Sequence, residues 1–337
     1  MTRNNLYFYY DERSLNEATQ IYVNTICETL KSKYEIKYVN KLKTVKVNKD
    51  DIILTITNLY FFKAKFRHPN ITHIFWAQGI APEEYLMYKK KDFKFYFKTF
   101  LERFALKKSS YIFLVSNSMR LHFQRKYNYN KNNFIVMPCF NITKIDDLNI
   151  PMHKNDHTFV YAGNMAEWQC IDKMLIIFKK YQDKVPQATI KLYIKDKQGI
   201  TEKLNKYNIK NYSVDFVSVD QLKKELLKFK YGFIIREKNA VNYVSTPTKM
   251  NSYLSSYVIP ILTDTIGDFN ILFKDSDNVL IVDHKFNEKE IAQSIIDFNY
   301  NYNYNPESFK KIFNQYYNVN FYKNKIVKKI LNNEYSD

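Results

Sequence analysis

Short apolar runs that stop abruptly at polar residues alternate along this chain with segments whose apolar residues recur at helical spacing. Runs at 6–10, 36–39, 52–56, 71–76, 111–115 and 134–137 predict strands in the first half, and runs at 158–162, 189–194, 213–217, 231–235 and 258–262 predict strands in the second. Helices are expected over 15–33 (Ile21, Ile26, Leu30), over 119–126 behind the capping sequence Ser116-Asn117-Ser118, and over 168–181, 201–207 and 220–229. A long, basic, amphipathic helix is expected over 307–331, after the low-complexity break at 299–306. Strands alternating with helices predict an α/β fold with parallel, doubly wound sheets. Residues 138–151 read as a linker between two halves of the same construction.

The stretch 231–264 concentrates the candidate chemistry. An apolar strand run ends at Arg236, a polar and irregular loop follows, and Thr246-Pro247 reads as a helix start. A threonine side chain can accept from the first free amides, and proline at the first helical position loses no hydrogen bond. Lys249 then falls in the opening turn, and a further strand completes a right-handed crossover unit. Ligands of open α/β sheets sit beyond the carboxyl ends of the strands, where a helix amino terminus offers unpaired N–H groups. Arg236 and Lys249 would add two cations there and suit a diphosphate; the other reading makes both solvated surface charges.

Glycine is scarce, at 5 residues, yet Gly79 and Gly163 each follow a strand run directly. Either each permits a close backbone approach at a site, or each marks an ordinary turn. Glu83 and Glu84, just after Pro82, either orient an acceptor hydroxyl or form an acidic pair at a helix start. Beyond them, Phe93, Phe97, Phe100, Leu101 and Phe104 recur at helical spacing among lysines between 89 and 108. That pattern fits an amphipathic helix on an anionic membrane surface, or a helix packed on its own sheet with a solvated lysine face.

Lysine plus arginine (52) exceed aspartate plus glutamate (34), giving a net charge of +18 that favours anionic partners. Tyrosine (29) and phenylalanine (26) are abundant in the manner of an AT-rich coding bias, so composition is a weak guide to function. A basic, aromatic stretch could also hold single-stranded nucleic acid, but no recognised nucleic-acid motif accompanies it. Cys27, Cys139 and Cys170 are far apart and His is unclustered, which indicates neither a zinc site nor a disulfide framework and fits a reducing cytoplasm. The first apolar run is too short for a signal sequence and none approaches membrane-spanning length. A soluble protein, or one attached peripherally to the cytoplasmic membrane, is expected.

Four segments taken in order, AQGIAPEE (77–84), LERFALKKSSYIFLVSNSM (101–119), YAGNMAEWQCID (161–172) and VNYVSTPTKMNSYLSSYVIPILTD (241–264), resemble the GT-B glycosyltransferases. The likeness is to the large retaining family that builds bacterial capsules, O-antigens (lipopolysaccharide) and related surface glycans. It implies an acceptor-binding Rossmann-like domain over 1–150, a nucleotide-sugar domain over 151–305 and a terminal helix, 306–337, packing back toward the first, with the two sheets facing a central cleft. It implies that Arg236 and Lys249 hold the diphosphate of a UDP- or GDP-sugar, with Asn242, Ser245, Thr246, Pro247 and Thr248 in the turn around it. Gly163, Asn164, Trp168 and Gln169 would line the donor side. Gln78, Gly79, Glu83 and Glu84 would face the acceptor, a glycan that is lipid-linked in the leading reading, and the sugar. No metal or other cofactor is expected, because fixed cations and amides can stabilise a leaving diphosphate. The chain departs from the family pattern at Val244 and Ser252, where many members carry paired glutamates, and at Asn164 and Gln78, where arginine and histidine are common. These departures leave open an epimerase or an inactive partner subunit.

Overall fold

A computed structural model describes residues 3–15, 17–145 and 156–332. Asn16 of the first loop and positions 146–151 of the expected linker lie outside the described residues. The chain divides into two compact units, one formed by Met1–Asn141 with Asn318–Asp337 and the other by Ile142–Tyr317.

In the first unit, β1 (Asn4–Tyr9), β2 (Tyr34–Val39), β3 (Ile52–Thr55), β4 (Thr72–Ala77), β5 (Tyr111–Leu114) and β6 (Phe134–Val136) form one sheet in the order β2-β1-β3-β4-β5-β6. Every neighbouring pair is parallel. Such pairing needs a crossover between strands, which is why the apolar runs are separated by helix-length segments. Both faces are then covered, and the strands read as continuous apolar runs: all four residues of β3 and of β5 are buried. Beneath the sheet Tyr22 stacks on Trp76 at 3.9 Å between ring centroids and donates to the Met137 carbonyl at 2.9 Å. Ser116 caps the helix Asn117–Tyr127 by accepting from the Met119 N–H at 2.8 Å, as its sequence suggests.

In the second unit, β7 (Thr158–Ala162), β8 (Thr189–Tyr193), β9 (Tyr212–Asp215), β10 (Tyr231–Ile234), β11 (Ile259–Thr263) and β12 (Leu280–Val282) pair in parallel in the order β12-β11-β10-β7-β8-β9. After β7 the chain adds strands on one side, and from β10 it builds on the other. The order therefore reverses between β7 and β10, and at such a switch point the loops leaving the two strands diverge to opposite faces and open a crevice. Each fully buried side chain of β10 and β11, such as Phe233 or Ile261, stabilises the sheet by about 1.5–3 kcal/mol over exposure.

The structure corrects several boundaries. The loop after Arg236 is not irregular throughout: Asn239 accepts from the Asn242 N–H and caps a short helix, Ala240–Val244. The next helix is Thr248–Ser255, with Pro247 rather than Thr246 at the N-cap position. The helix expected from 168 starts at Ile171, after a single turn at Glu167–Gln169 and a left-handed Cys170. The helix Glu288–Asn301 extends into the low-complexity run. The expected single helix over 307–331 is three pieces: Pro306–Tyr316, Val319–Ile326 and a π turn at Val327–Leu331. The first piece packs in the second unit against Thr248–Ser255, whereas Val319–Ile326 packs on Glu17–Leu30 in the first. Among the described residues no helix is long and apolar enough to cross a membrane.

Candidate functional site

The switch point of the second sheet brings together the residues the sequence singled out from two distant stretches. β7 runs out through Tyr161-Ala162 into Gly163, and β10 runs out through Ile235 into Arg236. Arg236 is fixed at its backbone by β11 and the residues after it. Its N–H donates to Thr263 Oγ1 at 3.0 Å, the Thr263 hydroxyl donates back to its carbonyl at 2.6 Å, and Thr265 lies 3.4 Å from the same oxygen. The guanidinium is buried, 4% exposed. Its Nη1 donates to the Trp168 carbonyl, and its Nε has no hydrogen-bond partner among the described residues.

Lys249, partly buried in the first turn of Thr248–Ser255, extends across to the β7 loop. Its Nζ donates to Gln169 Oε1 at 2.6 Å and stands 4.8 Å from the centre of the Tyr161 ring. The two cations thus converge on one dipeptide, Trp168-Gln169. Among the described residues no carboxylate forms an ion pair with either. Burial, and secondarily the charge of Arg236, holds the Lys249 ammonium well below its usual range; burial also lowers Arg236. Two like charges drawn together in buried surroundings, neither paired with a carboxylate among the described residues, are held at a cost that an anion would offset. Pro247, at the N-cap of Thr248–Ser255, supplies no capping side chain, and the helix dipole adds to the same field.

Gly163 makes the convergence sterically feasible. Its φ of +153° is one that side-chain-bearing residues rarely adopt, and a Cβ there would lie 2.9 Å from both Cε and Nζ of Lys249. Asn164 is exposed, and its carbonyl accepts from the Tyr161 hydroxyl at 2.7 Å. Asn242 is committed to the loop, its side-chain nitrogen bonding the Glu237 carbonyl at 2.8 Å, and Ser245 donates to the Asn242 carbonyl at 2.9 Å. Thr246 is buried, while Ser245, Pro247 and Thr248 are half-buried at the turn leading to Lys249. Sequence reasoning missed Tyr161, Thr263 and Thr265; each stands at the carboxyl end of its strand or just past it, the one signal available.

The remaining candidates belong to the first unit. Gln78 and Gly79 follow β4, one strand over from that sheet's own switch between β1 and β3. Gln78 Nε2 is buried without a hydrogen-bond partner among the described residues. Glu84 Oε1 lies 1.9 Å from where a Gly79 Cβ would stand. Burial raises the Glu84 carboxyl, against the Ile80 N–H and the charge of Lys98. Glu83 is tied into a second network: Lys126 lies 2.7 Å from it and 3.1 Å from Glu102, and Tyr127 donates to Glu102 at 2.7 Å. Burial opposes the Glu83 charge, but hydrogen bonds from His122 and Lys126 outweigh it and lower its pKa. Both glutamates lie in the first turn of Ala81–Leu86.

Glu102 is 1% exposed, and burial pushes its carboxyl up to about 7 from 4.5. The folded state therefore binds this proton more tightly than the unfolded chain does. Its contribution to stability is complete below 4.5 and is lost as pH rises through about 7. In Glu102→Gln, thermal unfolding is expected to lose the part of its pH dependence that lies in this window; an unchanged profile would contradict the assignment. Among the described residues one group, Asp264, Asp283 and His284, has the spacing to hold a metal ion. Its members are already engaged locally, the His284 N–H donating to Asp264 at 3.0 Å.

Two units, each a parallel six-stranded sheet with flanking helices, make up the GT-B fold of glycosyltransferases. Three solved structures illustrate the likeness. Sucrose-phosphate synthase from Thermosynechococcus elongatus superposes with a TM-score of 0.74 at 10% identity, over 98% of this chain and 99% of that one. The pneumococcal O-GlcNAc transferase GtfA, in complex with UDP and GlcNAc, gives 0.65 at 10% identity, over 88% and 59%. A mutant of S. aureus TarM, in complex with fondaparinux, alpha-GlcNAc-glycerol and UDP, gives 0.62 at 14% identity, over 88% and 57%. The chain thus spans less than two thirds of the length of the latter two. No protein-family model and no curated protein matches the sequence.

Proposed function

We propose that the protein is a glycosyltransferase that takes a sugar from a nucleoside-diphosphate sugar, UDP- or GDP-linked, and transfers it with retention to a bacterial surface glycan carried on a lipid. The observation that carries this reading is the pair of cations, Arg236 and Lys249, converging at the switch point of a parallel sheet with neither in an ion pair with a carboxylate among the described residues. The nucleoside diphosphate is the leaving group of such a reaction, and negative charge grows on its terminal phosphate in the transition state. Preorganised cations and helix amides aimed at that charge stabilise it without reorganisation, a contribution on the order of 10²–10³ in rate for one donor. Two of the structures that share the fold were solved with UDP bound, which agrees with a uridine nucleotide as donor.

The buried Val244 and the Ser252 hydroxyl, which bonds the Thr248 carbonyl at 3.3 Å, supply no carboxylate for the sugar or ribose. This favours, as a second reading, an epimerase or a non-catalytic partner subunit on the same fold. Purified protein incubated with labelled UDP- and GDP-sugars and membrane extract separates the two. The transferase labels lipid or polymer, and Arg236→Ala reduces that labelling by about 100-fold or more. Conversion of the sugar nucleotide without labelling, or labelling untouched by Arg236→Ala, would overturn the proposal.

A further inference from the structure

The helix Phe93–Lys108 is packed along only part of its length. Its buried positions are Leu101, Glu102, Ala105 and Leu106, in its second half. The phenylalanine ridge of its first half faces out: Phe93 is 83% exposed, Tyr96 62%, Phe97 44% and Phe100 52%. On the adjoining helix Asn58–Arg67, Phe66 is 82% exposed. Phe62 joins the two sets, with its ring 6.4 Å from Phe66, 6.1 Å from Phe100 and 5.2 Å from Phe104. Exposed apolar residues scattered singly are ordinary, but a ridge continuous over two helices marks an interaction surface.

The ridge is set in positive charge. Residues 58–67 and 88–108 hold eleven lysines and arginines against two acids, Asp92 and Glu102. The two acids offset only a small part of that charge. Asp92 accepts from the Phe95 N–H at 3.0 Å and the Tyr85 hydroxyl at 2.6 Å, and Glu102 is buried with Lys126 and Tyr127. The excess is felt locally: burial and then the charge of Lys108 lower both Lys65 and Lys131.

We propose that this face, the outward ridge of Phe93–Lys108 with Phe66, is the docking surface for an anionic lipid bilayer. A bilayer is the occupant that offers both parts at once, an apolar interior for the rings and a negative headgroup layer for the lysines around them. Long lysine stems lie along the rings while the ammonium groups stay in the headgroup layer. Single-stranded nucleic acid fits less well, because Phe62 meets Phe100 and Phe104 edge-on, at 66° and 65°, rather than leaving flat faces for bases. Helix Ala81–Leu86, which carries Glu83 and Glu84, packs on Phe93–Lys108. Docking would therefore bring the acceptor-side loop to the lipid surface, a consequence that rests on the proposed function although the docking itself does not.

The test is co-sedimentation of the full chain with phosphatidylcholine–phosphatidylglycerol vesicles and with pure phosphatidylcholine vesicles, as sodium chloride is raised. Binding to the anionic vesicles alone, weakening with salt, is expected. It should fall at least about 10-fold in Phe93→Ser/Phe97→Ser/Phe100→Ser and in Lys89→Glu/Lys90→Glu/Lys94→Glu, all exposed positions. UDP titrations should be unchanged in both variants. The proposal fails if the wild type ignores anionic vesicles, binds both kinds equally, or binds as well after the substitutions. It fails also if the serine variant instead loses self-association by light scattering or binding to an oligo-dT probe. Vesicle binding by a wild type that takes no UDP would overturn the donor site and leave this surface standing.

Discussion

Lys249→Met is expected to weaken UDP binding on the order of 100-fold while raising the melting temperature of the ligand-free protein. The two effects have one cause. The fold holds the ammonium well below its usual pKa through burial and the charge of Arg236, so the cation destabilises the empty protein. The sign follows from linkage. With the folded pKa below the unfolded value of 10.5, the penalty is complete below the folded pKa and disappears as pH rises toward 10.5. Methionine keeps the stem and removes the charge, which is expected to gain about 1 kcal/mol of stability. An anion that would have paired with the ammonium instead loses a charge-assisted hydrogen bond in a desolvated site. Calorimetric titration and thermal unfolding of the same preparation check both halves. A variant that binds UDP normally, or one that is merely destabilised, would show that Lys249 is an ordinary structural lysine.

Gly163→Ala is expected to have a comparable effect on UDP binding from the opposite side of the same contact. The new Cβ would stand 2.9 Å from Lys249 Cε and Nζ and 3.2 Å from the Tyr161 hydroxyl, on a backbone with φ of +153°. Strain of this kind costs on the order of 1–3 kcal/mol. The lysine is the mobile partner and should be pushed away from Gln169. In Gly163→Ala/Lys249→Ala the two losses of affinity should therefore fail to add, since each removes the same ammonium from the same place. Full additivity would mean that the glycine acts on the site by another route.

Much of this architecture was legible in the sequence because a parallel sheet buried on both faces writes each strand as an apolar run, and most of the runs fell within a residue or two of the observed strands. β12 escaped because Leu280-Ile281-Val282 is only three residues long and ends at Asp283. The terminal segment reads as one helix because neither glycine nor proline interrupts 307–331. The break at Tyr317-Asn318 is marked instead by Asn318, which caps the next helix by accepting from the Phe321 N–H at 3.1 Å. The short helix Ala240–Val244 carried the same kind of signal in Asn239.

The site divides along similar lines. Arg236 and Lys249 were legible because one stands at a strand exit and the other at a helix start, positions defined by local pattern. Tyr161, Thr263 and Thr265 acquire their roles only from β10 lying between β7 and β11, a lateral order that a linear chain does not display. The phenylalanines near 93–104 had the spacing of a packed helix and of a surface one alike. What separates the two is the burial of Leu101, Glu102, Ala105 and Leu106, which turns the aromatic ridge outward.

The proposed function depends on a diphosphate binding beside Gly163, between Arg236 and Lys249. Calorimetric titration of the wild type with UDP, UMP and uridine tests it most directly. UDP is expected to bind, UMP more weakly and uridine scarcely at all, and inorganic pyrophosphate is expected to compete with UDP. Equal affinity for UDP and uridine, or no binding of UDP or GDP, would contradict it.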